Sequence, residues 1–362
     1  MTHGSAVLRL VSGVGVKGPA CFVLETAGKR LMLDLGEGPP PGLLPNVDGL
    51  GPVDALVISH GHKDHIGGLS LLPKLGNSPV YATDIVARGL PGGLDLRRLP
   101  IGGTADVIGT EVATGRNGHA PGGIWLRFAA GDGFLYTGDC STESILYAYD
   151  PPPSARVALL DASYANYDTA IAQCWANLAP FVERGALLLP VPANGRGPEI
   201  ALTLSRHGVS DIFVDETMAT ALRRLGETDA VSLREGVVGE IRRLADAVRP
   251  IDGVRGVMLA ASADGSSGAT ARLLAEWENT PEPAIVFTGY VTPSTPAERM
   301  VKSGRGHFVR WNVHPRRSDI VALVREIGAK TVIPAFCDRS QLASLAQALA
   351  PARVTIDGPV EV

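Results

Sequence analysis

Apolar and polar positions follow two different rhythms along this chain. Up to about residue 165 the apolar stretches are short, several alternate, and glycine commonly ends them: AVLRLVSG at 6–13, CFVLETAG at 21–28 and RLMLDLG at 30–36. Alternation of period two closed by such breakers predicts β-strands. VDALVISH at 53–60 is nearly unbroken in its apolar character, as for a strand buried on both faces, and it runs directly into the polar cluster GHKDH at 61–65. IGGLSLLPKLG at 66–76 predicts a helix that stops at Pro73 or Gly76, and GIWLRFAA, GFLYTGD and RVALLDAS predict three more strands.

After Tyr167 helix-length segments alternate with short apolar strands: TAIAQCWANLAPFVERG, ALLLPVPA, PEIALTLSRHG and DIFVDE, and later VVGEIRRLADAV, GVMLAAS, SGATARLLAEWE and AIVFTGY. Strand–helix alternation predicts a small parallel α/β domain. The last stretch, SDIVALVREIG, TVIPAF and RVTIDG, predicts a helix followed by two strands. Clusters of Pro and Gly suggest boundaries, and the expected division is 1–175, 176–300 and 301–362, the middle segment being an insertion.

Composition narrows the class. The 362 residues are 45% hydrophobic, enough for a large core, and the net charge of -4 excludes a global basic field for nucleic acid. A polyanionic partner must then be held by local features or by metal. The cysteines at 21, 140, 174 and 337 show no CxxC spacing and read as reduced thiols of a cytoplasmic protein. No apolar run reaches the roughly 18 residues of a membrane span, so no membrane partner is expected.

The chemistry sits at the end of the buried strand. His60-Gly61-His62-Lys63-Asp64-His65 places three imidazoles and a carboxylate within six residues. Imidazole nitrogen with carboxylate oxygen suits a borderline-soft divalent ion such as zinc. His60 and His62 face one way if the chain is still extended, while Asp64 and His65 open the next helix and face a second position. Taken alone, His119 reads as an ordinary surface histidine and Asp139 as an ordinary turn residue.

This HxHxDH pattern after a buried strand resembles the metallo-β-lactamase superfamily. Asp34 and Gly36 match its Asp-x-Gly turn, His119 in NGHAPGG its third histidine, and Asp139 in YTGD its metal-bridging aspartate. The resemblance implies an αββα sandwich holding one or two Zn2+ ions, with Mn2+ as an alternative. His60, His62 and His119 would hold the first ion and Asp64 and His65 the second, with Asp139 between them. The second half resembles the β-CASP branch, the nucleases that include ribonuclease J and the messenger-RNA 3′-end endonuclease. That likeness rests on Asp161 in LLDASY, the segment Gly195-Arg196-Gly197-Pro198-Glu199, AIVFTGYVTPSTPAERM, and His314 in RWNVHPRRSDI.

What the branch implies is cleavage of RNA or DNA through a metal-activated hydroxide. Asp64, Asp161 and His314 are the expected catalytic groups, with Asp161 fixing the tautomer of a proton-donating His314. Arg196 and Arg316 are the expected phosphate contacts. Arg316 lies in a stretch from Arg299 to Ser318 that holds Lys302, Arg305, Arg310 and Arg317 but no acid. Two features depart from the branch. Phe336, in TVIPAFCDRS, stands where a last metal-binding histidine belongs, with Cys337 and Asp338 as neighbouring substitutes, and Ser262-Ala263-Asp264-Gly265 replaces a Ser-Gly-Met loop. They keep open a hydrolase of small esters, lactones or thioesters, and a degenerate, non-catalytic member. A homo-oligomer is compatible with all of these.

Overall fold

The computed structural model describes residues 6–362, which divide into two compact units. The first comprises the residues up to Thr142, Tyr149–Asp168 and His314–Val362; the second comprises Glu143–Ala148 and Thr169–Val313. The change of rhythm after Tyr167 therefore coincides with a unit boundary. The expected cuts after 175 and after 300 fall instead inside the helices Ile171–Glu183 and Pro296–Lys302. The prolines that suggested linkers are helix residues: Pro180 lies within one helix and Pro296 opens another, where its missing N–H costs nothing.

The first unit is built on two seven-stranded sheets. One runs in the order Val360–Glu361, Val7–Ser12, Cys21–Thr26, Lys29–Leu33, Ala55–Val57, Val80–Ala82 and Leu96–Arg98. The other runs Arg353–Val354, Thr331–Ala335, Val157–Asp161, Phe134–Tyr136, Ile124–Phe128, Thr110–Arg116 and Gly103–Val107. Each sheet joins an antiparallel half to a parallel half.

Period-two alternation sorts the side chains into layers. Phe22, Leu24, Leu31, Leu33 and Val57 pack with Leu126, Phe128, Tyr136, Leu159 and Ile333 between the sheets. Their sequence neighbours Val23, Met32, Leu56 and Ile58 face outward against Leu69, Leu72 and Leu75 of a 3-10 helix. On the far side Leu135, Ala158, Leu160 and Val332 pack under Ile320, Leu323 and Ile327 of the helix Arg317–Ile327. This is the expected αββα sandwich.

The second unit has one six-stranded sheet whose pairings are all parallel, in the order Arg249–Pro250, Ile212–Val214, Val257–Ala261, Leu187–Val191, Ala284–Phe287, Gly306–Phe308. Helices cover both faces. Leu187, Leu189 and Val191 meet Ile200, Met218 and Ile241 on one side, while Leu188, Met258 and Phe287 meet Leu273, Trp277 and Met300 on the other. Among the described residues no helix is long and apolar enough to cross a membrane.

Candidate metal centre

Strand register gathers the candidate residues of the first unit. Lys29–Leu33 and Ala55–Val57 pair in parallel, so Asp34 and the 58–60 segment leave the first sheet at one end. In the second sheet Phe134–Tyr136, Val157–Asp161 and Thr331–Ala335 are also parallel neighbours, which sends Asp139, Asp161 and Phe336 out together. After the strand the chain turns through His60 into the short helix Lys63–Ile66, with His62 at its N-cap. Glycine permits the turn: a Cβ on Gly36 would lie 1.7 Å from the Asp64 carbonyl oxygen. Gly138, at φ +55°, likewise leaves room for Ser59, whose Oγ would lie 2.5 Å from an added Cβ.

His60, His62, His119 and Asp139 form one set whose ligand atoms all lie within 4.8 Å of one another, and Asp64, His65 and Asp139 form a second. Asp139 serves both. Its Oδ2 lies 3.8 Å from His60 Nε2 and 3.6 Å from His119 Nε2, while its Oδ1 lies 3.3 Å from His65 Nε2. His62 Nδ1 and His119 Nε2 are 3.0 Å apart. Nitrogens held about 2.0–2.1 Å from a tetrahedral zinc stand about 3.4 Å apart, so these rings are close to ligand spacing.

His60 Nε2, His65 Nε2 and Asp139 Oδ1 are buried with no hydrogen-bond partner. Leaving such atoms unsatisfied costs about 1–3 kcal/mol each, a penalty that a shared cation removes. The residues present therefore fit a divalent ion. The electrostatics of the metal-free cluster point the same way. Burial, then the neighbouring His65 and His62, push His60 well below the ordinary imidazole range. Burial opposes charge on both His65 and Asp139. Even so, Asp139 and Asp34 hold His65 well above the usual value, and His65, His314 and His119 hold Asp139 well below its own.

Asp161 and His314 meet at the same place. His314 Nδ1 is 2.8 Å from Asp161 Oδ2, which also accepts from Cys140 N at 3.1 Å. Asp139, Asp161 and His314 make a third set of converging ligand atoms, and the His314 ring lies 5.1 Å from the rings of both His119 and Tyr164.

The sequence profile of the metallo-beta-lactamase superfamily matches residues 14–176, the segment that carries His60 through Asp161. Residues 14–176 thus form a metallo-β-lactamase domain. The chain has sequence relatives named as a transcription termination factor and a ribonuclease. It is 26% identical over 256 residues to the transcription termination factor FttA of Cenarchaeum symbiosum, covering 57% of this chain and 40% of that one. To ribonuclease TTHA0252 of Thermus thermophilus it is 28% identical over 241 residues, 55% of this chain and 56% of that one. The chain thus spans about half the length of these curated relatives. A crystal structure of a protein of unknown function from Enterococcus faecalis V583 matches with a TM-score of 0.65 at 12% identity, covering 99% of this chain and all of that one.

Against the metallo-β-lactamase pattern, the departure at Phe336 is structural as well as chemical. The Phe336 ring packs 5.3 Å from the ring of His65 and 6.3 Å from that of Phe22, closing the side where an imidazole is expected. Neither neighbour takes its place among the described groups. Cys337 is buried in the outer helix–sheet layer with its thiol pushed up to about 11, first by burial and then by Asp338 and Asp161. Asp338 is exposed and caps the turn at Ser340.

The expected phosphate contacts divide between the units. Arg196 is nearly buried at the start of the helix Arg196–Arg206, its guanidinium so close over Gly289 that an added Cβ would lie 2.2 Å from it. That contact links two of the β-CASP-like segments. Glu199 accepts from Ile145 N at 2.7 Å and Trp311 Nε1 at 3.4 Å, and burial raises its pKa. Arg316 forks onto Asp319 at 3.0 and 2.9 Å. The acid-free stretch is less bare than its sequence suggests: Arg299 pairs with Glu278, Lys302 with Glu298 and Arg317 with Asp168. Partners that flank the run or lie far from it in sequence are invisible to a local charge count.

Three further residues belong to the centre. Asp34, Ser59 and Tyr136 form a buried network beneath the histidines. The Asp-x-Gly turn flags the first; Ser59 and Tyr136 carry no sequence signal.

Proposed function

We propose that this chain is a divalent-metal-dependent phosphodiesterase acting on RNA or DNA, with zinc as the resident ion and manganese as a substitute. The convergence of six ligand residues on three unsatisfied buried atoms carries the reading. Divalent ions in such a set lower the pKa of bound water and stabilise charge developing on oxygen.

The protein's own groups supply the rest. Asp161, an acceptor at His314 Nδ1, leaves His314 Nε2 to deliver a proton to the departing oxygen. Burial of Asp161 and its bond from Cys140 N keep that carboxylate in place. Asp64, with His65 and Asp139, would help hold a second ion. Arg196, at a helix N-terminus, takes a substrate phosphate. Arg316, in the first unit, is the other candidate phosphate contact, with its fork engaged by Asp319. The names of the relatives, a ribonuclease and a transcription termination factor, agree with a nucleic-acid substrate.

Phe336 favours a second reading, in which a thinned second set supports hydrolysis of small esters, lactones or thioesters, or no turnover at all. A zinc-loaded preparation assayed on labelled single-stranded RNA and DNA and on a lactone panel, with and without chelator, separates them. The proposal expects phosphodiester cleavage that chelation abolishes and metal restores. Lactone turnover without phosphodiester cleavage would replace it with the second reading.

A further inference from the structure

Beneath the metal-binding residues lies a cluster with no access to solvent. Asp34, Ser59, His60, His65 and Tyr136 all have 0% exposure. Asp34 sits in left-handed backbone at φ +55° and receives four hydrogen bonds. Ser59 N donates to its Oδ1 at 2.7 Å. Its Oδ2 receives Ser59 Oγ at 2.7 Å, Tyr136 OH at 2.5 Å and His65 Nδ1 at 2.7 Å. On its other side, Ser59 Oγ lies 3.1 Å from His60 Nδ1.

Counting protons fixes the directions. A carboxylate has only acceptors, so His65 must carry a hydrogen on Nδ1. Serine has a single hydrogen. Given to Asp34, it leaves Ser59 Oγ with lone pairs alone toward His60, so His60 must donate from Nδ1. Were Ser59 to donate to His60 instead, two oxygens 2.7 Å apart in a dry interior would face each other with lone pairs and no proton between them. With Nδ1 committed to these bonds, each ring can offer a metal only its Nε2, and His60 Nε2 and His65 Nε2 are the two histidine nitrogens left unsatisfied at the centre.

We infer that Asp34 is a positioning residue for both metal-binding sets at once, acting directly on His65 and through the Ser59 hydroxyl on His60. One buried carboxylate then sets which nitrogen of each ring faces the ions, and couples the two sets through a single serine proton. Tyr136 completes it, since its hydroxyl holds Asp34 Oδ2 from within the sandwich core. The inference rests on the metal-binding reading of the centre but not on the identity of the substrate.

Two measurements test it on the full chain. In the metal-free protein, long-range proton–nitrogen NMR of the histidine rings is expected to show neutral His60 protonated at Nδ1. Zinc titration against a competing chelator is expected to show Ser59→Ala weakening binding at the His60 set about tenfold while the His65 set is retained, the scale usual for removing a partner of a metal ligand. Asp34→Asn is expected to weaken both sets. Ser59→Ala removes only one hydroxyl, and its folding is checked by thermal unfolding, so it remains informative if Asp34→Asn fails to fold. A His60 ring protonated at Nε2, or a folded Ser59→Ala protein with unchanged affinity at both sets, would overturn the relay. The NMR result stands whether or not the protein cleaves nucleic acid.

Discussion

Phe336→His supplies an imidazole at the position where the family pattern leads one to expect it. Phe336 has φ +61°, a left-handed backbone that histidine adopts several-fold more readily than most residues and that is an outlier for a bulky apolar side chain. The backbone is held there by Phe336 N donating to Gly13 O at 2.7 Å. Without metal the variant gives up part of the roughly 1.5–3 kcal/mol gained by burying phenylalanine, so it unfolds about 1–2 kcal/mol more easily. With metal it gains a ligand. Structural zinc bound by four ligands contributes about 10–16 kcal/mol, or roughly 3 kcal/mol per ligand. The packing loss is common to the metal-free and metal-loaded variant and cancels in binding, so about 3 kcal/mol means a second ion bound roughly 100-fold tighter. Chelator-buffered zinc titration, with thermal unfolding in the presence and absence of zinc, reads both terms. A folded variant, less stable without zinc, whose second ion binds no more tightly than in the wild type would refute the argument that residue 336 borders the second set.

Other consequences follow from the same geometry. His62→Ala is expected to lose zinc at the first set and with it all chelator-sensitive cleavage, as read by elemental analysis beside the nuclease assay. His314→Ala is expected to slow cleavage by about 10²–10⁴ with zinc content unchanged, the range for a lost general acid; full activity in the zinc-loaded variant would remove His314 from the chemistry. Gly36→Ala drives a methyl group into the Asp64 carbonyl and is expected to cost about 4 kcal/mol or more in denaturant unfolding. Asp150 is held below the usual carboxylate range by its hydrogen bond to Arg116, which outweighs burial. Because the folded value is depressed, the stability it contributes, about 1 kcal/mol, is present above the unfolded value of about 3.9 and lost as pH falls through the folded one. Asp150→Asn should therefore match the wild type in strong acid and fall below it near neutrality.

Much of the fold was legible because burial imposes period two on strands. CFVLET and RLML alternate between two cores, and the structure assigns their residues to those cores in turn. Edge segments such as Leu96–Arg98 and Gly103–Val107 escaped notice because they are short and largely exposed, so little hydrophobic pattern marks them. The segment Glu143–Ala148 packs Leu146 and Tyr147 into the core of the second unit, a long-range choice that no local pattern records. At the centre, HxHxDH was legible because four ligands sit within one turn of chain. His119, Asp139, Asp161 and His314 were reached through the family pattern, and strand register is what brings them together. The network of Ser59 and Tyr136 was not legible at all: a serine and a tyrosine within apolar runs look like ordinary strand residues until the second sheet lies over the first.

The most direct test is a crystal of the full chain grown with zinc, measured on both sides of the zinc absorption edge. The account predicts an anomalous peak enclosed by His60, His62, His119 and Asp139, with a weaker one beside Asp64 and His65. A zinc-replete crystal with these side chains turned apart and no anomalous signal among them would contradict it.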